Sequence, residues 1–235
     1  MLRNQGVNLL LQTKPQTVIS KHLLQFLQSG QKNFYDKGEL IQASDDKQKL
    51  SFVHKGFVKR YMISADGSKG VQAIYGPGEI FPLTLAFHEL FNQDIYRGPE
   101  IYYYEAITPC TVYSVSNDAL IKEVSANPVM YRDLLQQAGK RLNSNIQKLE
   151  NIAIKNSIKR VAHQLYYFAS EYGANSLFGV EITIPLTQQD IADVLSLTRE
   201  TVSQSFSVLR KEGYLATDKG IVVTDIDGLE KLAFS

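Results

Sequence analysis

Residues 199–204 contain four polar side chains that can form hydrogen bonds with the edges of planar rings: Arg199, Glu200, Ser203 and Gln204. Residues three or four apart share one face of a helix, so the four lie side by side if this stretch is helical. Arginine can donate two hydrogen bonds to guanine, glutamate can accept one from the cytosine amino group, and glutamine can pair with adenine. The chemistry that these residue types suggest is therefore the reading of base edges in a groove of DNA.

The surrounding segment, LTQQDIADVLSLTRETVSQSFSVLRKEGYL at residues 186–215, has the pattern of two short helices joined by a tight turn. Thr187 followed by Asp190 indicates the start of the first helix, "SLT" ends it, and Thr198 can cap the second. The predicted apolar faces are Ile191, Val194 and Leu195 in the first helix and Val202, Phe206 and Leu209 in the second. This arrangement predicts a helix-turn-helix whose second helix enters the major groove.

Further residues around the predicted helix-turn-helix suit contacts with phosphates. Helix starts and basic side chains bind phosphate groups, which favours Thr187, Gln188, Arg210 and Lys211 for that role. A strand pair turning at Asp-Lys-Gly (218–220) would add the wing of a winged helix. The alternative is a helical pair that binds protein through a solvated charged face. Residues 155–235 carry eight Lys/Arg and ten Asp/Glu, a net charge of −2, whereas DNA-binding domains are usually basic.

A long helix is predicted upstream, with Asn127 as its N-cap, Pro128 at its first position and its end near residue 155. Two sets of residues recur at seven-residue intervals, as in a two-stranded coiled coil. The predicted dimer seam consists of Leu135, Ala138, Leu142, Asn145, Leu149 and Ile152. The charged neighbours Arg141, Lys148 and Glu150 favour this seam over the alternative, a helix packed on its own domain, and a buried asparagine in the seam would fix the register.

The N-terminal half has the pattern of short strands. Residues 34 to about 116 are rich in β-branched and aromatic residues and are interrupted by turn signals such as ADGSKG (65–70), GPG (76–78) and Thr108–Pro109. Regularly spaced short strands predict an antiparallel sandwich or barrel. The sequence SNDALIKEVSA then predicts a short helix before the long one.

Composition narrows the remaining function classes. The chain has 235 residues, of which 44% are hydrophobic, a net charge of +1 and a single cysteine, Cys110. One cysteine excludes an internal disulfide and an all-cysteine metal site. No segment approaches 18 uninterrupted apolar residues, so we expect a soluble cytoplasmic protein without membrane contact. The sequence lacks a P-loop, a dinucleotide-binding GxGxxG, an HExxH and a nucleophile elbow, which argues against an enzyme.

The segment 186–215 resembles the DNA-reading signature of the Crp–Fnr transcription regulators. Its order of Leu-Thr, Asp-Ile-Ala, Thr-Arg-Glu-Thr-Val-Ser, Leu and Gly matches that family, and KGELI (37–41) and VHKGFVKRYMISADGSKGVQAIYGPGEIF (53–81) follow the family order in the N-terminal half. The resemblance extends from about residue 34 to 230. It implies an α+β chain with an N-terminal antiparallel β jelly-roll of the cyclic-nucleotide-binding type, a dimerisation helix and a C-terminal winged helix-turn-helix. It also implies a homodimer bound to a pseudo-palindrome.

Two departures from the family pattern concern specificity. Family members that read a TGTGA-type half-site commonly have an arginine where this chain has Gln204, although Arg199 and Glu200 match. Nucleotide-binding members have Gly-Glu and Arg-Ser or Arg-Thr where alignment places Pro82-Leu83 and Glu100-Ile101. A glutamate repels phosphate. We therefore expect an effector other than cyclic AMP, unless a shifted alignment makes Arg97 the phosphate partner.

The identity of any effector stays open. The aromatic residues of the sensor half are either core packing or the lining of a pocket for an apolar or aryl ligand. The predicted pocket residues are Tyr75, Phe81, Leu83, Arg97, Glu100 and Tyr102. We expect no metal and no cofactor, because there are no N-terminal cysteines for an oxygen-sensing cluster and the four histidines are scattered. These are His22, His54, His88 and His163.

Three regions are predicted on this basis: an effector-sensing domain at 1–126, a dimerisation helix at 127–155 and a DNA-binding domain at 156–235. The expected partners are double-stranded DNA, a second copy of the chain, RNA polymerase and a small-molecule effector. The competing function is a ligand- or protein-binding module whose helix-turn-helix no longer binds DNA. The intact polar row at 199–204 argues against that alternative.

Overall fold

The computed structural model describes residues 19–43, 49–65, 67–91, 101–217 and 220–235. The elements of these ranges are, in chain order, α1 (Lys21–Gln28), β1 (Gln31–Tyr35), β2 (Leu40–Ala43), β3 (Lys49–Lys55), β4 (Val58–Ile63), β5 (Lys69–Tyr75), β6 (Ile80–Phe81), α2 (Leu83–Phe91), β7 (Tyr103–Ala106), β8 (Cys110–Ser116), α3 (Asn117–Ala126), α4 (Val129–Ala153), α5 (Ser157–Tyr172), β9 (Gly173–Ser176), β10 (Gly179–Ile182), α6 (Gln188–Leu195), α7 (Arg199–Lys211), β11 (Leu215–Ala216), β12 (Val222–Val223) and α8 (Ile226–Phe234).

The first eight strands form two four-stranded antiparallel sheets, in the orders β1-β8-β3-β6 and β2-β7-β4-β5. This is the predicted jelly-roll-like sandwich, and its described strands pair as two sheets rather than as one closed barrel. Its core contains Val53, Val58 and Val112, each fully buried. The predicted Asp-Gly turn joins β4 to β5, where Gly67 has φ +81° and the Ser64 N–H donates to the Ser68 carbonyl. Glycine suits this position because a Cβ disfavours positive φ.

Two helices follow the sandwich, and their boundary differs from the prediction by one residue. The Ser116 side chain caps α3, and Asn127 ends that helix by donating its N–H to the Glu123 carbonyl. Helix α4 then begins at Val129, with Pro128 as its N-cap. The assignment of Asn127 as N-cap and Pro128 as first helical residue was therefore wrong. Asn127 has φ −136° and closes the preceding helix, so the chain turns directly from one helix into the next.

The C-terminal region is built on α5, whose buried apolar side chains are Val161, Ala162, Leu165, Phe168 and Ala169. Gly173 ends this helix, and a Cβ there would lie 2.1 Å from the Ala169 carbonyl oxygen. The strands that follow form a third sheet in the order β11-β12-β10-β9, in which β11 and β12 are the predicted wing. No helix in the described part of the chain is long and apolar enough to cross a membrane.

The apolar core of the C-terminal region extends onto the sandwich formed by the first eight strands. Tyr61, Val71 and Ile74, from β4 and β5, belong to the same buried cluster as Leu165 and Phe206. The sensor sheet and the helix-turn-helix region are therefore packed against each other in this structure.

Candidate nucleic-acid interface

A reciprocal capping box fixes the start of α6. The Thr187 Oγ1 accepts from the Asp190 N–H at 3.1 Å, and the Asp190 Oδ2 accepts from the Thr187 N–H at 2.8 Å. The aspartate also lies near the positive end of the helix dipole. Thr187 is exposed and Gln188 is half-buried, so the helix start predicted for phosphate contact lies at the surface.

The turn between α6 and α7 is held by backbone and side-chain bonds. Ser196 adopts the left-handed conformation, with φ 51° and ψ 48°. The Leu197 N–H donates to the Ala192 carbonyl at 3.0 Å, and the Arg160 Nη2 donates to the Leu195 carbonyl at 2.5 Å. The Thr198 hydroxyl accepts from the Thr201 N–H at 3.1 Å and starts α7, as predicted. These bonds set the angle between the two helices.

Helix α7 buries one face and leaves the other open. Val202, Phe206 and Leu209 are at most 1% exposed, as the spacing predicts. On the opposite face Arg199, Glu200 and Gln204 are exposed and Ser203 is half-exposed. In the described part of the chain, the exposed three have no side-chain hydrogen bond or ion pair, so their donors and acceptors are free to meet base edges.

Ser207 extends this row of polar side chains, but the sequence prediction did not include it. It is exposed and lies four residues beyond Ser203 and three beyond Gln204, on the same side of α7. Its hydroxyl donates to the Ser203 carbonyl at 3.0 Å and accepts from Arg210 Nη2 at 3.4 Å, which leaves one lone pair for an outside donor. Continuing the three- and four-residue steps past Gln204 would have found it.

The residues predicted for phosphate contact do not form one cluster. Thr187 and Gln188 lie at the start of α6, whereas Arg210 and Lys211 occupy the exposed last turn of α7, where cations complement the helix dipole. Arg210 also donates from Nη1 to the Thr217 hydroxyl at 3.2 Å, which links α7 to the segment after β11. The cations thus lie on the side of the wing, away from the capped start of α7.

The predicted dimer seam lies along the outer face of α4. Leu135 and Leu142 are each 62% exposed, Leu149 is 67% exposed and Ile152 is 59% exposed. Asn145 is also exposed, and Ala138 is half-buried. The sequence interpretation omitted Ile146, which is 43% exposed beside them. Large apolar residues in a continuous exposed stripe mark an association surface.

Between residues 137 and 148 the inner face of α4, by contrast, carries polar side chains that are hydrogen-bonded to their own chain. Gln137 donates to the Gly78 carbonyl at 3.1 Å, Arg141 pairs with Glu79 at 3.1 Å, and Lys148 donates to the Val71 carbonyl at 2.8 Å. Arg141 and Lys148, predicted to flank the seam, therefore face the sensor domain. Helix α4 connects the sensor sheet on one face with an uncovered apolar stripe on the other.

The residues predicted for an effector pocket are only partly brought together. Tyr75 and Phe81 lie in the sandwich core with ring centroids 5.2 Å apart, and Phe81 stacks on Tyr104 at 4.7 Å. Leu83 packs in a different apolar cluster, at the start of α2. The Tyr102 ring lies 4.8 Å below the Arg60 guanidinium. Arg97 and Glu100 lie outside the described residues.

A charged group beside these aromatic rings was not predicted from the sequence. The Arg141 guanidinium lies 4.0 Å from the centre of the Tyr75 ring and pairs with Glu79, which is 3% exposed. Glu79 also accepts from the Tyr172 hydroxyl at 3.1 Å. Burial raises the pKa of Tyr104 well above its ordinary value, so this phenol stays neutral. The contacts of Glu79 with Arg141 and Tyr172 thus join the N-terminal sandwich, α4 and the end of α5.

Comparisons with known proteins agree with this arrangement. A model of the cyclic nucleotide-binding domain matches residues 32–127, and a model of the Crp-like helix-turn-helix domain matches residues 159–232. The chain is 24% identical over 201 residues to the CRP-like cAMP-activated global transcriptional regulator of Mycobacterium tuberculosis (strain H37Rv), covering 85% of this chain and 86% of that protein. It is 29% identical over 208 residues to the nitrogen fixation regulation protein FixK of Rhizobium meliloti (strain 1021), covering 87% of this chain and 88% of that protein. The structure of FixK2 from Bradyrhizobium japonicum superposes with a TM-score of 0.70 at 25% identity, covering 86% of this chain and 96% of that chain.

Proposed function

Because this chain belongs to the Crp–Fnr family and is a DNA-binding transcription regulator, we propose that it acts as a homodimer on a pseudo-palindromic site under an effector other than cyclic AMP. The observation that carries the proposal is the exposed, unpaired polar row of α7, held by a capped and hydrogen-bonded turn. Arg199 would read a guanine and Glu200 a cytosine amino group, while Gln204 would prefer adenine.

The homodimer proposal is supported by the two faces of α4. The apolar stripe that begins at Leu135 is uncovered in the single chain, while the opposite face already has its hydrogen bonds within that chain. A second copy offers an identical stripe, and a two-fold axis would align the two. This symmetry is also what a pseudo-palindromic operator requires, since each half-site meets one recognition helix.

The proposal of a different effector is supported by residues 82 and 83. Pro82 has no backbone N–H, and Leu83 has no polar side-chain atom, so neither can replace the Gly-Glu pair that nucleotide-binding relatives use. Both Pro82 and the adjacent Phe81 are buried. The Mycobacterium tuberculosis relative, by contrast, is a cAMP-activated regulator.

RNA polymerase is the protein partner that we propose for the DNA-bound dimer. Support comes from the tip of the β9–β10 hairpin, where Leu177 is 96% exposed and Phe178 is 76% exposed. Two adjacent large apolar side chains at a hairpin tip offer a compact contact for another protein. The hairpin precedes α6 directly, so such a contact would form near the DNA.

A salt titration of DNA binding tests the proposed function. Duplex fragments from upstream of the protein's own gene and its neighbours would be titrated with the wild type, Arg199→Ala and Lys122→Ala, at several salt concentrations. We expect log affinity to fall linearly with log salt concentration, by a slope of about 0.9 for each phosphate contacted. Arg199→Ala should weaken specific binding by about 1–3 kcal/mol.

Lys122 serves as the matched control, because it is an exposed cation on α3, away from the recognition helix. Its loss should leave specific binding unchanged. A wild type that binds no fragment at low salt would favour the competing function, a ligand- or protein-binding module that no longer binds DNA.

A further inference from the structure

A small cavity lies where the sensor sheet, the dimerisation helix and the DNA-binding region meet. Its volume is about 40 Å³. Strand β5, helix α4 and helices α5 and α6 all contribute to its wall. Much of that wall is polar, and it includes the side chains of Gln72, Lys148 and His163.

His163 contributes a buried donor that lacks an acceptor. The side chain is 1% exposed, and its Nε2 has no hydrogen-bond partner among the residues that the structure describes. The neighbouring bonds fix its tautomer. Arg160 Nε can only donate, so the atom of Asn151 that it meets at 3.3 Å is Oδ1, and Asn151 Nδ2 then faces His163 Nδ1 at 3.3 Å. Since Nδ1 must accept, the proton of the neutral ring is on Nε2.

Burial lowers the pKa of His163, which favours this neutral form, and the charge of Glu150 acts in the opposite direction. A buried N–H without an acceptor is costly, and buried polar groups almost always have a partner. The missing partner of His163 is therefore a hydrogen-bond acceptor.

Lys148 adds a cation to the same wall. Its Nζ donates to the Val71 carbonyl at 2.8 Å and to the Gln72 Oε1 at 3.4 Å, which leaves one of three N–H groups. Burial and the positive charge of Arg60 lower the pKa of Lys148. None of the described residues lining the cavity is an aspartate or a glutamate. The site therefore offers donors and positive charge without an acidic side chain.

We propose that this junction cavity binds a small monovalent oxyanion, with Lys148 Nζ and His163 Nε2 as its donors. The cavity exceeds the volume of about 10–15 Å³ that a single water needs but is still small, so it suits an anion of only a few non-hydrogen atoms. Formate, nitrite and nitrate have this size and charge. Only the role of this anion as the effector rests on the proposed function.

The position of the junction cavity gives such an anion a means of control. Lys148 belongs to α4, and its partners Val71 and Gln72 belong to β5, whereas His163 belongs to the DNA-binding region. An anion held between Lys148 and His163 would connect the dimerisation helix to that region. Binding would then favour the domain arrangement in which the two donors are close together.

Formate and nitrate are the probes for the test. The His163 Nε2–H resonance of the wild type, assigned with the His163→Gln variant, would be followed during titration, and thermal unfolding would be measured in parallel. We expect a saturable shift of this resonance and a saturable rise of Tm with both anions. Sulfate, with five non-hydrogen atoms, should give only the linear rise in Tm that it gives any protein.

Lys148→Gln should weaken binding about tenfold or more, because it removes a charge-assisted hydrogen bond. Lys155→Gln removes an exposed charge just beyond α4 and should bind as the wild type does. An unmoved His163 resonance in the wild type would overturn the proposal, even if the Lys148 variant fails to fold. Equal anion affinities of Lys148→Gln and Lys155→Gln would overturn the proposal as well. If the anion binds with no effect on DNA affinity, the site stands and its role as effector site fails.

Discussion

At the residue scale, the proposed reading of DNA rests on side chains whose hydrogen-bonding groups have no partner among the described residues. Arg199, Glu200 and Gln204 project from a helix that is fixed at its start by Thr198. The capping residues could be predicted because capping acts between residues three apart in sequence. Glu79 and Arg141 could not, because they are 62 residues apart and only the folded chain brings them together.

Gln204→Arg tests the register of the recognition helix. Glutamine prefers adenine and arginine prefers guanine, so the variant should change the preferred base at one position of each half-site, by about 1–3 kcal/mol. Selection from random duplexes measures this preference. Gln189→Arg, the same exchange on the exposed surface of α6, is the control and should leave the preferred half-site as it is. An unchanged half-site for Gln204→Arg would show that Gln204 does not face the bases.

Ser196→Gly tests the strain at the turn. A left-handed conformation costs an L-residue about 1–2 kcal/mol, and glycine avoids that cost while losing more entropy on folding. We therefore expect a rise of about 0.5–1 kcal/mol in the free energy of unfolding by urea, with unchanged DNA affinity. Ser196→Ala, which keeps the Cβ, serves as the control and should give no such rise. A glycine variant no more stable than the wild type would contradict the assigned conformation.

At the element scale, most of the helices could be predicted from the sequence, but three short ones were missed. Helices α6 and α7 have clear apolar faces and caps, and they form where the sequence predicts them. Helices α1, α2 and α8, each of eight or nine residues, were not predicted. Their stability comes from packing, as with Leu23 and Leu27 of α1, which are fully buried against the sandwich and α4. In α1, however, a local signal was present and was missed, because Leu23 and Leu27 lie four residues apart behind the cap residue Ser20.

Leu142→Asp tests the seam on α4. A carboxylate in the middle of an apolar interface should separate the protomers, since burying an unpaired charge is costly. We expect monomers in sedimentation at micromolar concentration and the loss of operator binding. Leu177→Asp makes the same change at a leucine that is 96% exposed, and it should stay dimeric. A wild type that sediments as a monomer at micromolar concentration would contradict the proposed seam.

At the scale of the whole molecule, sensor, dimerisation helix and DNA-binding region form one connected structure. The apolar cluster that contains Leu165 and Phe206 reaches Val71 and Ile74 of the sensor sheet, and the Tyr172 hydroxyl meets Glu79. The domain limits at 126 and 155 remain our proposal. The sequence predicted the order of the three regions, because each has its own periodicity, but not their contacts, which join residues far apart along the chain.

Calorimetry with cyclic AMP and cyclic GMP tests the proposal about the effector. No heat of binding is expected, because Pro82 and Leu83 lack the polar groups that would hold ribose and phosphate. The experiment uses the full-length dimer, with unfolding checked before and after titration. Micromolar binding of either nucleotide would contradict the proposal and would make Arg97 the phosphate partner, as a shifted alignment allows.

Selection of random duplexes by the wild-type protein is the most direct test of the central claim, that a homodimer reads DNA through α7. We predict enrichment of a pseudo-palindrome whose half-sites are centred about 34 Å apart, one helical turn of DNA, each with a guanine for Arg199 and a cytosine for Glu200. Enrichment of a single unrepeated site, or of no sequence at all, would contradict that claim.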